Sequence, residues 1–153
     1  MKTLGINTAS SEVRFALISF TNDTPTLLNA ASENRLRFPA DCEDTGEKAK
    51  WLYEELERIF ETNPDIESMV IRMNGYGMEK KATRISSHLD GVALLSAKLH
   101  DINVAMMLNS QLGINQKQVK SEAENHVGKT DKYWNDSMAY AIVSAIEAKD
   151  IHE

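Results

Sequence analysis

The chain carries a single cysteine, Cys42, so no disulfide can close within it. Because disulfides mark oxidising compartments, a cytoplasmic setting is expected. No apolar run reaches the roughly 18 residues that a membrane crossing needs. The opening Met1-Lys2-Thr3-Leu4 leads straight into a strand pattern, with none of the features of a signal peptide. Repeats and low-complexity stretches are absent. So are the Gly-Lys-Ser/Thr pattern of a phosphate-binding loop and any nucleophile elbow around Ser10 and Ser11. The four histidines, His88, His100, His126 and His152, lack metal-site spacing. Glu122 and His126 stand four apart on an expected helix, which is too little for an ion site. Cys42 has no basic neighbour in sequence that would make it a reactive thiol. No resident cofactor or metal is expected.

The composition is that of a globular protein, with 42% hydrophobic and 26% charged residues. A length of 153 residues suits one domain over 1–153 with a core of its own. Net charge is −6 and unevenly placed. Residues 1–67 hold 7 basic and 13 acidic side chains, and residues 68–153 hold 10 of each. Strong nonspecific binding of nucleic acid is not expected from such a balance, since phosphate affinity comes mainly from Lys and Arg. A local basic patch remains open.

Thr3 to Asn7 and Val13 to Phe20 read as strands joined by the small, polar turn Thr8 to Glu12. After a second turn, Asn22 to Pro25, a third strand is expected over Thr26 to Phe38, irregular around Asn29 to Asn34. Asp44 or Thr45 can cap the next helix, whose apolar positions Ala49, Leu52, Leu56, Ile59 and Phe60 recur at helical spacing. Its other face is acidic, with Glu47, Glu54, Glu55, Glu57 and Glu61. Met69 to Met73 is a buried fourth strand. Glu79 to Leu99 is a long helix with Ile85, Leu89, Val92, Ser96 and Leu99 on one stripe. Val104 to Leu108 is a fifth strand, with Met106 and Met107 as core filler. A short helix capped by Asn109 or Ser110 follows, then helices over Gln116 to Val127 and Asn135 to Lys149. Three antiparallel strands followed by alternating helix and strand imply one mixed five-stranded sheet with helices on both faces.

This order resembles that of the ribonuclease H-like superfamily, and two stretches narrow the resemblance to RuvC-type nucleases. Leu4-Gly5-Ile6-Asn7-Thr8-Ala9-Ser10 is similar to their first strand, which bears an aspartate where Asn7 stands. Asn135-Asp136-Ser137-Met138-Ala139-Tyr140-Ala141-Ile142 is similar to their closing motif. Ser68-Met69-Val70-Ile71-Arg72 is similar to the fourth strand, which in active members ends on a glutamate. The residue one helical turn before Asp136, acidic in active relatives, is Tyr133. The resemblance implies that Asn7, Arg72, Tyr133 and Asp136 converge as a remnant site in which only Asp136 keeps a carboxylate.

Two-metal hydrolysis needs several carboxylates around ions about 3.5–4 Å apart. Asn7 offers only a neutral oxygen. Arg72 would oppose a divalent ion, and is expected to pair with Asp136 instead. Asp136 also suits a helix N-terminus, and Asn7 a turn-holding amide, with no catalytic role for either. A second patch comprises Arg72, Tyr76, Lys80, Lys81 and Arg84, around Gly75-Tyr76-Gly77 and a helix start. Such a patch could take phosphate or stack a base, or could be a solvated face.

Three functions follow. The first is a catalytically degenerate RuvC-like domain that weakly binds DNA, RNA or a nucleoprotein. The second is a working nuclease with a rebuilt site, needing magnesium and further carboxylates such as Glu12 or Glu79. The third is a protein-interaction scaffold docking through the acidic helix 47–61. For that last reading, the opening strand and turn also resemble actin-like ATPase domains, including inactive partners in tRNA modification.

Overall fold

The computed structural model describes residues 1–75, 77 and 79–151. Strands β1 (Lys2–Thr8) and β2 (Glu12–Thr21) form the expected antiparallel hairpin. The next turn is tighter than the Asn22–Pro25 reading. Asn22 and Asp23 both sit in the left-handed region, φ 51° and 65°, the geometry of a two-residue hairpin loop that Asn and Asp tolerate. Strand β3 (Thr24–Leu27) therefore begins at Thr24 and includes Pro25, which an edge strand accepts.

The expected third strand is in fact two. β3 pairs with the far end of β2, and β4 (Arg35–Arg37) pairs with its beginning. Asn29 is the reason for the break. Its buried amide accepts from the backbone N–H of Leu17 and donates to the carbonyls of Phe15 and Glu33, so a side chain replaces strand pairing over the bulging segment. The sheet thus has six strands, not five, in the order β3-β2-β1-β5-β6 with β4 also on β2. Strands β5 (Ile66–Arg72) and β6 (Asn103–Met107) run parallel to β1.

Helix α1 (Thr45–Thr62) starts where Asp44 accepts from the Glu47 N–H at 2.8 Å. It packs with α2 (Lys81–Leu99) on one face of the sheet, over Leu4, Ile6, Phe15, Met69 and Ile71. The stripe of α2 is rotated from the expected one. Leu99 is 59% exposed, while Ser86, Leu89, Asp90, Ala93, Ser96 and Ala97 are buried. Small side chains let the helix sit close to the sheet, and close packing outweighs the bulk of Leu99. The acidic face of α1 is partly neutralised from within: Arg58 holds Glu55 and Glu33, and His100 meets Glu57 at 2.8 Å.

The opposite face is covered by α5 (Asp136–Glu147), with α3 (Asn109–Leu112) and α4 (Val119–Val127) beyond it. Residues Met138 to Ala145 are all buried, as expected of a helix enclosed between sheet and α4. Hydroxyls anchor it: Thr3 donates to the Ala145 carbonyl and Ser68 to the Ala148 carbonyl, each at 2.6 Å. Among the described residues no helix is long and apolar enough to cross a membrane.

Candidate functional site

Strand register builds the site. Arg35 pairs with Arg14, Arg14 with Asn7, and Asn7 with Arg72. Directly paired residues project from the same face of a sheet, so these four side chains form one row across β4, β2, β1 and β5. The row lies under the start of α5. At about 4.8 Å per strand, Arg35 and Arg72 are roughly 14 Å apart.

Each member is held from above. Asn7 Nδ2 donates to Ser137 Oγ at 2.8 Å. The Arg72 guanidinium donates through Nε to Asn109 Oδ1 at 2.9 Å, and through Nη1 to Asn7 Oδ1 and Asn74 Oδ1, both at 3.3 Å. It also lies over the Tyr140 ring, 4.1 Å from the centroid. Three neutral amides thus fix its plane without cancelling its charge. Burial lowers the Arg72 pKa, and the nearby Tyr140 and Asp90 work against that. Arg14 is almost wholly buried, pairs with Glu12, and donates to the Tyr133 carbonyl at 2.7 Å. Arg35 stacks 3.8 Å from the Tyr133 ring centroid.

A cleft of about 310 Å³ opens over Asn7, Thr8, Arg72, Ser137 and Tyr140. A neighbouring hollow of about 360 Å³ reaches down to Asp90 and Met106. Asp90 accepts a 2.6 Å hydrogen bond from Thr8 Oγ1 at the back of the cleft. Burial pushes its carboxyl up to about 7, against the Thr8 hydrogen bond and the Arg72 charge.

The structure brings Asn7 and Arg72 together, but not Arg72 and Asp136. The Asp136 carboxylate accepts from Gln116 at 3.2 Å and makes no ion pair with Arg72. The expected salt bridge fails because Asp136 is the first residue of α5. The positions that face the sheet are Ser137, Tyr140 and their successors at helical spacing. Tyr133 meets the row through Arg35 and Arg14, not through Arg72.

Of the second patch, Lys80 and Lys81 are exposed at the start of α2, beside the cleft residues Ala82 and Thr83. Arg84 is engaged by Glu79 through two bonds of 2.7 and 2.9 Å. Tyr76 lies outside the described residues. Glu12 and Glu79, the carboxylates of the rebuilt-site reading, are each occupied by an arginine. Among the described residues no group of three or more His, Cys, Asp or Glu side chains could hold a metal ion. The donor set at Asn7 and Arg72 does not fit a divalent cation, since the Asn7 oxygen already accepts from a guanidinium. Desolvation and the acids Asp41 and Glu47 raise the Cys42 pKa, the opposite of a primed thiol.

Sequence reasoning missed Asn74, Asn109, Tyr140, Asp90 and the arginines of β2 and β4. Asn74 and Asn109 follow the ends of adjacent parallel strands, where ligands gather in open α/β sheets. Asp90 carried a signal as well, an acidic residue four positions after Ser86 on the inward side of α2.

No protein-family model matches the sequence, and no curated protein matches it significantly. Solved structures do match. RuvC from Thermus thermophilus, in complex with a Holliday junction substrate, superposes with a TM-score of 0.78 at 12% identity, over 95% of this chain and 91% of that one. The yeast mitochondrial Holliday junction resolvase gives 0.59 at 12% identity, covering 94% and 75%. The fowlpox virus resolvase, in complex with junction DNA, gives 0.53 at 14% identity, covering 99% and 100%. The fold is therefore ribonuclease H-like, of the RuvC type. Identities this low carry the fold and nothing finer.

Proposed function

We propose that this chain is a RuvC-type domain that binds nucleic acid and does not cut it by a two-metal mechanism. One observation carries the reading. Where β1 and β5 end side by side under α5, the place at which the family resemblance puts metal-binding carboxylates, the chain has Asn7 and a charged Arg72 clamped by three asparagines. A unit charge 4 Å from a like charge costs about 4 kcal/mol at an effective dielectric near 20, and a divalent ion doubles that. The same guanidinium suits a phosphate. Its Nη2 makes no hydrogen bond within the described residues, and Arg72 lines the open cleft. Lys80 and Lys81 extend the positive rim. The matched RuvC and fowlpox structures hold Holliday junction DNA, which makes a branched duplex the first ligand to try. The scaffold reading is weaker, because Glu55 and Glu57 are already paired within the chain.

The test is a titration of labelled four-way junction and single-stranded DNA at rising salt, with and without magnesium. Binding is expected without magnesium, weakening steeply as salt rises, and without cleavage products. Replacing Lys80, Lys81 and Arg84 with alanine is expected to weaken binding to all sequences alike. The log–log salt slope should flatten by about 0.9 for each phosphate that the variant no longer neutralises. No binding at low salt removes this reading. Cleavage by the unaltered protein that Asp136→Ala abolishes replaces it with a working nuclease.

A second test concerns the metal. Magnesium is expected to leave the melting temperature of the unaltered chain unchanged, because a ligand stabilises only as far as it binds the native state. The double variant Asn7→Asp, Arg72→Glu is expected to melt earlier without metal and to regain stability with it. At ten times the dissociation constant the gain would be about 1.4 kcal/mol. A magnesium-dependent rise in the unaltered protein would contradict the charge argument.

A further inference from the structure

Beyond the cleft, at the edge of the sheet, the segment before β4 and the loop before α5 enclose a separate hollow of about 470 Å³. That volume lies within the range of small-molecule sites. Its wall carries Arg35, Arg37 and Lys132, and none of the three makes an ion pair among the described residues. The acid facing them, Glu33, is occupied from outside by Arg58 at 3.0 and 3.2 Å. The other acid of the lining, Asp131, makes no salt bridge among the described residues.

Tyr133 forms the platform. The residue is 48% exposed, yet its backbone sits in the left-handed region at φ 61°, which costs a non-glycine residue roughly 1–2 kcal/mol. The loop is held in that shape from three sides. Buried Arg14 grips the Tyr133 carbonyl, Asn34 Nδ2 donates to the Lys132 carbonyl at 3.4 Å, and the Asp131 N–H donates to the Ala30 carbonyl at 2.9 Å. Core packing does not require such effort for an exposed residue. Asn34, itself 3% exposed and on the same wall, thus ties the segment before β4 to this loop.

We propose that this hollow binds a nucleoside phosphate, with the base continuing the Arg35–Tyr133 stack and the phosphate on Arg37 and Lys132. An inorganic anion alone would use the cations and make no use of the Arg35–Tyr133 stack. Flat π surfaces beside cations are what bases with phosphates require. The hollow shares no lining residue with the cleft over Asn7 and Arg72, although Arg35 belongs to the same row of paired side chains.

Calorimetric titration of the whole chain with adenosine 5′-monophosphate, adenosine and inorganic phosphate tests it. The monophosphate is expected to bind at least tenfold more tightly than either part. Tyr133→Gly suits the positive φ and deletes the ring, so it is expected to leave the melting temperature intact and weaken the monophosphate roughly tenfold or more. Tyr133→Phe keeps the ring and should retain the affinity. Arg37→Gln with Lys132→Gln should bring the monophosphate down to the level of adenosine. Competition by a 5′-phosphorylated oligonucleotide, and not by its 5′-hydroxyl twin, identifies a strand end as the source. Competition by neither identifies the free nucleotide. No heat at millimolar monophosphate, or binding that Tyr133→Gly leaves untouched, overturns the site. Monophosphate binding by a chain that fails to shift junction DNA upholds this site and removes the nucleic-acid reading, and the reverse pattern does the opposite.

Discussion

Replacing Gly5 with alanine is expected to lower the melting temperature by about 6 °C or more. A Cβ at Gly5 would stand 1.9 Å from the Ala141 carbonyl oxygen and 2.4 Å from the Ala145 nitrogen. Both are main-chain atoms of α5, so no side chain can swing aside. The helix cannot lift away cheaply either, because Thr3, Asn7 and Ser68 bond it to the same sheet face on either side of the contact. Overpacking of a core typically costs 1–3 kcal/mol, and more where backbone must move. A cost of at least about 3 kcal/mol corresponds to roughly 6–12 °C for a chain of this size. Gly91→Ala is the control. That glycine is on the exposed side of α2, with nothing within 4 Å of an added Cβ. There alanine is expected to stabilise by about 0.5–1 kcal/mol through helix propensity. Thermal melts followed by circular dichroism read both, and a Gly5→Ala melt within 2 °C or so of the unaltered chain would mean that α5 is not seated as described.

The same residue shows what the sequence could and could not convey. Leu4 and Ile6 alternate with Gly5 and Asn7, which identifies a strand with two different faces. It does not say that one face meets a helix at backbone contact. The order of strands and helices was legible because each element had its own period: alternation in β1 and β2, helical recurrence in α1 and α5, and compact apolar runs in β5 and β6. The stretch 28–34 was not legible, because its structure rests on one buried amide, Asn29, that propensity does not foresee. In the site, Asn7 beside Arg72 followed from β1 and β5 ending together. The Arg14–Arg35 half of the row did not, since it depends on a register between β2 and β4 that exists only because Asn29 breaks the chain between β3 and β4. Asp136 was placed correctly on its helix and wrongly in its contacts, by one residue of helical phase, which is enough to exchange it for Ser137.

Asp90→Asn is expected to make the protein more stable at pH 8 and to leave it nearly unchanged at pH 4. Asp90 is 2% exposed, and burial pushes its carboxyl up to about 7 from an ordinary 3.8. Between those values the folded chain holds a proton that the unfolded chain has released. Stability must then fall as pH rises from about 4 to about 7, and level off above, where both states are ionised. Moving the carboxyl from 3.8 to about 7 corresponds to roughly 4 kcal/mol, the upper end of the gain that the amide offers by removing the buried charge. Asparagine keeps the shape, and its Oδ1 still accepts from Thr8. The lowered carboxylates Asp23, Asp65 and Glu79 titrate with the opposite sense, losing their contribution as pH falls. The quantity to measure is therefore the difference between the variant and the unaltered chain at each pH, in which they cancel. That difference should be near zero at pH 4, grow through pH 5 and 6, and reach at most about 8–16 °C in melting temperature by pH 8. A difference that is flat with pH would show that Asp90 does not titrate in this window. The same proton bears on the cleft, because Asp90 is the acidic group that acts on Arg72 from behind. Below pH 7 that counter-charge is neutralised and Arg72 acts on phosphate unopposed. Affinity for junction DNA should rise as pH falls from 8 to 6 in the unaltered chain, and should already be high and pH-independent over that range in Asp90→Asn. An unchanged pH response in the variant would separate Asp90 from binding and leave its role in stability alone.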